Sequence, residues 1–316
     1  MKTRQAVLLE PGRFGFREVD LNPGPKQLLI KVAACGLCNW ELTHWRGETG
    51  TCPQTLGHEW CGTVAALGEG VTKFKIGDHV VVQPGLGLAG FADYALNTED
   101  LTFRLDDSVE LRYAIAEPVK CTTTVVRAAA PEPGDYGMVV GTGPMSLWCI
   151  MALRRMGLRE LIVAGRDEAR LAVARKYGAT RTVNLLAPDL TEQLCEITDG
   201  HFCDFIIEGT GRPGTLQKCF SWIRMTQGRI CYMSSATKAE IDFHEAVERG
   251  CTIHFTHPSF SLDQAEDLRR AVLMINDGTY QIKDLITHEF KLADIQKAFE
   301  FYSRKPDGYL KGIITP

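Results

Sequence analysis

The glycine-rich turn Gly141-Thr142-Gly143-Pro144-Met145-Ser146 lies between an apolar strand pattern at residues 138–140 and a helical pattern at 147–156. The first glycine permits a tight turn, and the second lets the backbone approach a pyrophosphate at the positive end of the helix. Ser146 stands where the full fingerprint has a third glycine, and it is small enough for close helix packing. The residues predicted to contact a dinucleotide are Gly141, Gly143, Pro144 and Met145. A purely structural turn is the alternative.

The next strand pattern, 161–164, leads into Gly165-Arg166-Asp167. A fold that binds NAD usually has an acidic residue here, which bonds the ribose hydroxyls. Gly165 leaves room instead, and Arg166 can meet a 2′-phosphate, with Arg170 one turn later. The stretch therefore predicts NADP(H) in preference to NAD(H). In the alternative interpretation, Arg166 is a solvated surface residue and Asp167 caps the helix.

Strand and helix patterns alternate over residues 119–257, with strand candidates near residues 138, 161, 181, 205, 230 and 252. This order predicts an α/β domain with a parallel, doubly wound sheet. Residues 1–118 contain short strands between frequent glycines, which is typical of a small β-barrel. Residues 258–316 carry two amphipathic helices and a closing strand. This tail is too short for a domain of its own, so we expect it to rejoin the barrel.

Composition excludes several classes of function. The 316 residues contain 35 Lys and Arg against 39 Asp and Glu, a net charge of −4, which argues against a nucleic-acid partner. No apolar run reaches about 18 residues, so no membrane span is predicted. The apolar stretch near the N-terminus is too short for a signal peptide. Eleven cysteines, an odd number, then indicate reduced thiols and a cytoplasmic protein.

Residues of the types that bind zinc occur at four positions. Cys38 lies twenty residues before the pair His58-Glu59, and Glu117 stands at the predicted domain junction. Catalytic zinc sites gather thiolate, imidazole and carboxylate ligands from distant loops, so these residues are candidates for such a site. A structural zinc knot is the alternative, although one C-x-x-C is present where a zinc ribbon has two. Its ligands would be Cys35, Cys38, Cys52 and Cys61.

Further motifs follow one another along nearly the whole chain. They are Ala34-Cys35-Gly36-Leu37-Cys38, Leu56-Gly57-His58-Glu59, Gly68-Glu69-Gly70-Val71, Ile76-Gly77-Asp78-His79-Val80, Gly90-Phe91-Ala92-Asp93-Tyr94, Ala116-Glu117-Pro118, Glu208-Gly209-Thr210-Gly211 and Leu285-Ile286-Thr287-His288-Glu289-Phe290. In this order they resemble the zinc-dependent alcohol and polyol dehydrogenases of the medium-chain dehydrogenase/reductase superfamily. The resemblance is to the polyol branch in particular, which has Glu-Pro where classical alcohol dehydrogenases have a cysteine ligand.

The resemblance implies a GroES-like catalytic barrel, a Rossmann domain, and one catalytic zinc ion held by Cys38 and His58. It also implies help from Glu59 and Glu117, and it leaves open which of the two binds the metal directly. Other residues that it implies at the site are Gly209 and Thr210, toward the cofactor, and Lys311, beside the metal-site glutamate. A solvated surface lysine is the alternative for residue 311.

The chain departs from the family pattern at three places. Between Pro84 and Gly90, where a lobe with four cysteines and a structural zinc is usual, only a short glycine-rich link is present, so we expect one zinc ion per chain. Trp40 replaces the Ser or Thr whose hydroxyl starts the proton relay of the family. Glu41 replaces the usual Asp that orients the zinc histidine, and its carboxylate can still accept a bond from His58.

The function implied is hydride transfer between NADP(H) and an alcohol or polyol, or the corresponding ketone or aldehyde. Because an indole N–H donates but does not accept, Trp40 cannot relay the proton. We expect Thr43 and His44, on the same loop as Cys38, to take that role; a turn hydroxyl and a surface ring are the alternatives. We also expect a homo-oligomer, with a dimer through the edge of the Rossmann sheet favoured.

Two other functions remain open from the sequence. One is a zinc-free quinone or enone reductase of the same superfamily, against which the joint presence of Cys38, His58, Glu59 and Glu117 argues. The other is a non-catalytic nucleotide-binding protein on a dehydrogenase scaffold, which the loss of the relay hydroxyl at Trp40 favours.

Overall fold

A computed structural model describes residues 1–212, 214–234 and 240–316. It consists of two compact units. Unit 1 comprises Met1–Val119 and Leu268–Pro316, and unit 2 comprises Lys120–Asp267.

Strands and helices alternate through most of the described chain. The strands are β1 (Lys2–Glu10), β2 (Arg13–Asp20), β3 (Gln27–Gly36), β4 (Trp60–Leu67), β5 (His79–Val82), β6 (Tyr94–Thr98), β7 (Thr102–Arg104), β8 (Tyr136–Val140), β9 (Glu160–Gly165), β10 (Arg181–Asn184), β11 (Phe205–Glu208), β12 (Arg229–Tyr232), β13 (Thr252–Phe255), β14 (Ile286–Lys291) and β15 (Lys311–Thr315). The helices are α1 (Asn39–Trp45), α2 (Ala116–Ala129), α3 (Pro144–Leu153), α4 (Glu168–Tyr177), α5 (Leu190–Ile197), α6 (Thr215–Trp222), α7 (His244–Arg249), α8 (Gln264–Asn276) and α9 (Ile295–Arg304).

The main sheet of unit 1 has the strand order β14-β15-β3-β4-β5-β7, and β6 also pairs with β3. The closing strand β15 thus returns to the N-terminal strands, where it pairs antiparallel with β3. Helix α9 covers the core with one apolar face, since its buried residues recur at helical spacing. These residues are Ile295, Ala298, Phe299 and Tyr302. The ring of Phe299 lies 5.8 Å from that of Phe91, edge to face.

Unit 2 contains the predicted doubly wound sheet. All pairs in the order β10-β9-β8-β11-β12-β13 are parallel. Every residue of β8 is buried, as expected for a strand with helices on both faces. The strand order reverses between β8 and β11, and ligands of such folds bind in the crevice at that point. The loops that follow β8 and β11 are therefore the ones that can hold a dinucleotide.

Residues 258–267 differ from the sequence-based boundary, because they belong to unit 2. The buried carboxylate of Asp267 accepts a hydrogen bond of 2.7 Å from Thr124, pairs with Arg127, and accepts 2.6 Å from Ser261. Thr124 and Arg127 are on α2, within unit 2. These polar contacts hold the start of α8 against α2. No local sequence pattern predicts them.

No helix in the described ranges is both long and apolar enough to cross a membrane. All eleven cysteines lie in those ranges, and each carries a free thiol.

Candidate active site

The ends of two antiparallel strands bring the metal-type residues together. Strands β3 and β4 pair antiparallel, with Cys35 opposite Trp60 at this end. Cys38 follows β3, at the position before the first turn of α1, and His58 and Glu59 directly precede β4. The strand pairing therefore brings Cys38 close to His58, although twenty residues separate them in the sequence.

His58 is the centre of the cluster. Its ring nitrogens, Cys38 Sγ and a Glu41 oxygen supply ligand-type atoms that all lie within 4.8 Å of one another. The same holds for His58, Glu59 and Glu117. Glu117 lies in the first turn of α2, and its Oε2 is 3.7 Å from His58 Nε2. A thiol, an imidazole and carboxylates at these spacings are the donor set that zinc takes, so the residues fit this metal.

Glu41 holds the other side of the His58 ring. Its Oε1 accepts hydrogen bonds from His58 Nδ1 at 2.5 Å and from His58 N at 3.2 Å. Burial alone would lower the pKa of His58, but Glu41, a hydrogen bond with Cys38, and Glu117 raise this pKa well above its usual range. Glu41 is fully buried, and its Oε2 has no hydrogen-bond partner among the described residues. The cluster thus attracts positive charge, which suits a cation.

The Cys38 thiol also tends to keep its proton, because its pKa is raised. Burial raises the pKa of Cys38, with a further increase from the negative Glu59, while a hydrogen bond with His58 lowers it. The ligand form of cysteine is the thiolate, so the thiol must lose its proton when a metal binds. Metal affinity of this cluster is therefore coupled to proton release.

Glu59 is paired with Lys311, which the family resemblance placed beside a metal-site glutamate without specifying which one. Lys311 Nζ lies 2.6 Å from Glu59 Oε2 and donates to Leu37 O at 2.9 Å. Both side chains are buried. Burial would lower the pKa of Lys311, but the Glu59 carboxylate raises it above its usual value. Gly36 makes room for this pair, since a Cβ at that position would collide with the Glu59 carboxylate.

The alternative structural zinc knot receives no support. Within the described residues, Cys35, Cys52 and Cys61 belong to neither metal-type group. Cys61 Sγ instead donates to Leu111 O at 3.0 Å, and Cys52 is exposed.

Thr43 and His44 form a hydrogen-bonded network on α1. Thr43 Oγ1 donates to Trp40 O at 2.9 Å, and His44 Nδ1 bonds the same carbonyl oxygen at 2.9 Å. Thr49 Oγ1 joins them, 2.8 Å from Thr43 Oγ1 and 3.2 Å from His44 Nδ1. The described contact between this network and His58 is the indole of Trp40, which lies 3.9 Å from the His44 ring and 5.4 Å from the His58 ring.

The dinucleotide loop lies at the reversal point of the unit 2 sheet. Gly141 has φ +108°, a conformation that side chains rarely adopt, and a Cβ there would approach the Thr210 methyl to 3.1 Å. Pro144 begins α3, and Gly143 precedes it without a capping side chain, while Met145 follows in the first turn. Gly143, as the N-cap residue, therefore offers no side chain to the first N–H groups of α3, and a Cβ on Gly143 would meet open space.

Thr210, in the loop after β11, is fixed by a residue to which the sequence analysis gave no role. The buried carboxylate of Glu208 accepts from Thr210 N at 2.8 Å, from Thr210 Oγ1 at 2.5 Å and from Gly211 N at 3.2 Å. Gly209 N in turn donates to Val140 O at 2.9 Å, across the reversal point. The signal for Glu208 was present as an acidic residue at the end of a buried strand.

Gly165, at the end of β9, and the two residues that follow it make different contacts. A Cβ on Gly165 would come within 2.8 Å of Thr142 and 2.9 Å of Leu171, so packing favours glycine there. Asp167 caps α4, with its Oδ1 accepting from Ala169 N at 2.9 Å and from Arg170 N at 3.3 Å. Arg166 is exposed.

Thr49 is the other residue that sequence reasoning missed. It lies in the loop after α1 and is exposed, while His44 is buried. Its role depends on the loop returning to α1, and nothing in the residue order predicts that return.

Two family profiles match the chain. The alcohol dehydrogenase GroES-like domain matches residues 24–107, and the zinc-binding dehydrogenase domain matches residues 144–271. The first match lies in unit 1 and the second lies in unit 2 except for its last four residues; together they cover more than half of the chain.

Individual proteins are similar over nearly the full length. Sorbitol dehydrogenase of Halalkalibacterium halodurans is 25% identical, over 96% of this chain and 96% of its own. The structure of 2R,3R-butanediol dehydrogenase from Bacillus subtilis has a TM-score of 0.87 and 24% identity, over 99% of both chains. A Sinorhizobium meliloti protein of the zinc-binding dehydrogenase type, bound to NADP, has a TM-score of 0.88 and 23% identity over 100% of both chains.

Proposed function

Because this chain belongs to the zinc-type medium-chain dehydrogenase/reductase family, and is an oxidoreductase, we propose that it transfers a hydride between NADP(H) and an alcohol or polyol. The reverse direction reduces the corresponding ketone or aldehyde. The observation that carries the proposal is the position of His58, which lies in one metal-type group with Cys38 and in a second with Glu117, in a chain that also has the dinucleotide fold. Sorbitol and butanediol, named for two similar proteins, support a polyol or secondary alcohol as substrate.

We assign the zinc to Cys38, His58 and Glu117. The Nε2 side of the His58 ring faces Glu117, whereas the carboxylate of Glu59 is already paired with Lys311. This difference supports Glu117 as the direct ligand and Glu59 as a neighbour. When bound, zinc draws electron density from the substrate oxygen and lowers the pKa of the alcohol.

The protein side chains around the ligands orient them. Glu41 accepts the Nδ1 proton of His58, which leaves Nε2 as the ligand atom and fixes the plane of the ring. Lys311 holds Glu59 in a buried ion pair, so this carboxylate stays close to the cluster without adding net charge. These contacts support Glu41 and Lys311 as positioning residues.

One zinc ion per chain is the stoichiometry that we propose. The segment between Pro84 and Gly90 is a short loop without cysteine, and the sequence has no cysteine between Cys61 and Cys121. Of the described residues, those grouped as possible metal ligands all belong to the His58 cluster.

NADP(H) is the cofactor that we propose. An acidic side chain at position 165 would require Thr142 and Leu171 to repack. The carboxylate of Asp167 is already used, because it caps α4. Arg166 is exposed next to them and free to approach a 2′-phosphate, with Arg170 in the first turn of α4. The contacts of the phosphate bridge are proposed for Gly141, Gly143, Pro144 and Met145, opposite Gly209 and Thr210.

In this proposal the proton of the alcohol reaches the His44 ring through a bridging water, because the Trp40 indole cannot relay it, and then leaves through Thr49. The buried His44 ring shares a hydrogen bond with the exposed Thr49 hydroxyl, which also bonds Thr43. The network therefore connects a buried titratable ring to solvent. It supports a route that takes the place of the hydroxyl lost at Trp40.

We also propose a cytoplasmic dimer. Strand β13 is the edge of the parallel sheet, and its last residue, Phe255, is 62% exposed. An exposed edge strand of this kind pairs readily with a second copy. Eleven free thiols are typical of a reducing compartment.

A screen of alcohols and ketones tests the proposed function. The zinc-loaded chain is assayed with NADP(H) and with NAD(H), and the absorbance of the reduced nicotinamide is recorded. We expect turnover of at least one alcohol–ketone pair, with NADP(H) preferred. Absence of turnover across the panel, in protein that binds the dinucleotide, would instead support a non-catalytic nucleotide-binding protein.

A further inference from the structure

We infer that Trp40 selects the substrate, favouring an alcohol with a flat apolar group next to the carbinol carbon over a polyol. The inference rests on the proposed function and narrows its substrate class. Trp40 stands where the family has the relay hydroxyl, and we assign its side chain a role in substrate binding.

The indole of Trp40 is exposed directly beside the metal-type cluster. Its ring meets the His58 ring edge to face, with centroids 5.4 Å apart and an interplanar angle of 84°. Trp40 nevertheless keeps 41% of its surface exposed. A large aromatic surface that stays accessible next to the reacting position is available to a ligand.

The indole is also held in place. The His44 ring lies 3.9 Å from it on another side. The carbonyl of the same residue, Trp40 O, accepts hydrogen bonds from Thr43 and His44 at 2.9 Å each. A ring fixed at both its backbone and its neighbours loses little conformational entropy when a ligand packs on it.

Three charged side chains around His58, in contrast, offer almost no surface to a ligand. Glu41 is 0% exposed, Glu59 is 1% exposed, and Lys311 is occupied by Glu59 and Leu37 O. The nearby Thr43 hydroxyl is occupied by Trp40 O and Thr49. A polyol needs hydrogen-bond partners for several hydroxyls and loses affinity where they are missing, whereas a phenyl group gains from contact with the indole.

Steady-state kinetics with three secondary alcohols test the inference: 1-phenylethanol, 2-butanol and xylitol. In the zinc-loaded wild type we expect kcat/KM for 1-phenylethanol to exceed that for xylitol at least about tenfold. Trp40→Ser should lower kcat/KM for 1-phenylethanol about tenfold, mostly through KM, and leave xylitol equal or improved. Trp40→Phe should retain most of the preference. Trp45→Phe, on the same helix but packed against Phe299 in the core, is the matched control and should not change the ratio.

Ligand-detected saturation-transfer NMR gives a second readout that does not depend on turnover. The aromatic protons of 1-phenylethanol should receive saturation from the wild type and from Trp45→Phe, and much less from Trp40→Ser. A xylitol preference in the wild type, or an unchanged substrate ratio and unchanged NMR transfer in Trp40→Ser, overturns the inference while leaving the oxidoreductase function intact. Binding of 1-phenylethanol that depends on Trp40, without turnover of any alcohol, would sink the proposed function and leave the binding role of Trp40 standing.

Discussion

The metal-type cluster and the dinucleotide crevice are built in different ways. The cluster collects side chains from Cys38, His58, Glu117 and Lys311, which are distant in the sequence and are buried or partly buried. The crevice lies where the strand order reverses, beside the loops after β8 and β11, and the N-cap residue of α3 there is a glycine. The chemistry of the cluster depends on the identity of each side chain. Binding in the crevice depends instead on the shape of the backbone, and we expect exposed residues at its rim to set the cofactor preference.

This difference separates the effects of substitution. Removing one member of the cluster leaves other buried charges without a partner, so we expect large and non-additive losses. Exposed rim residues of the crevice change one contact with the cofactor, so we expect moderate changes in preference. The predictions below test this separation.

Cys38→Ser should have the largest effect. A serine hydroxyl is a much poorer zinc ligand than a thiolate, so zinc content should fall to near zero and alcohol turnover should disappear. Metal analysis after dialysis, together with the absorbance assay, measures both. Cys52→Ser, an exposed cysteine outside the cluster, is the control and should keep its zinc. Full zinc content in Cys38→Ser would remove this cysteine from the site.

The double variant Thr43→Val/His44→Phe should slow turnover at neutral pH by about 10²- to 10⁴-fold, the usual contribution of a positioned acid–base group. In the oxidation direction the loss should shrink as pH rises, because hydroxide takes the proton. Thr49→Val, at the exposed end of the network, should show a smaller loss with the same pH trend. An unchanged rate at neutral pH, when a deuterium isotope effect shows that chemistry limits turnover, would exclude the route.

Lys311→Met should destabilise the fold by about 3–5 kcal/mol, because it leaves the buried Glu59 carboxylate unpaired. Adding Glu59→Leu should recover much of this loss. Urea unfolding, followed by circular dichroism, provides the free energies. Lys297→Met breaks an exposed pair with Asp294 and should cost at most about 1 kcal/mol. Equal losses in the two lysine variants would contradict the buried ion pair.

Arg166→Leu should change cofactor choice by about 10- to 150-fold in relative kcat/KM, corresponding to about 1.5–3 kcal/mol for a charge-assisted contact. The loss should fall on NADP(H) alone. Arg159→Leu, an exposed arginine paired with Asp199, is the control and should leave the ratio unchanged. A wild type that prefers NAD(H), or an Arg166→Leu variant that keeps its preference for NADP(H), would rule out the assignment.

The same contrast explains what the sequence alone could predict. The parallel sheet and the loop at Gly141 are local patterns of apolar runs and glycines, and both parts of the predicted fold class are confirmed. The metal-type residues needed the family resemblance, because spacing alone does not bring Cys38 to His58 before β3 and β4 are paired.

Other features depend on tertiary contacts that leave no local signal. Thr49 joins His44 only because the loop after α1 folds back, and Asp267 draws residues 258–267 into unit 2 through its bonds with α2. Glu208 has an acidic side chain in a visible motif, but its function as a cap for the Thr210 loop appears only in the folded chain.

Removal and return of the metal test the central claim most directly. The protein is stripped of zinc with a chelator, assayed for NADPH formation from an alcohol that the native protein oxidises, and assayed again after zinc is added. The account predicts that turnover disappears on stripping, returns with zinc, and saturates at one zinc ion per chain. Full turnover in metal-free protein, with the cofactor bound normally, would contradict it and favour a zinc-free reductase on the same fold.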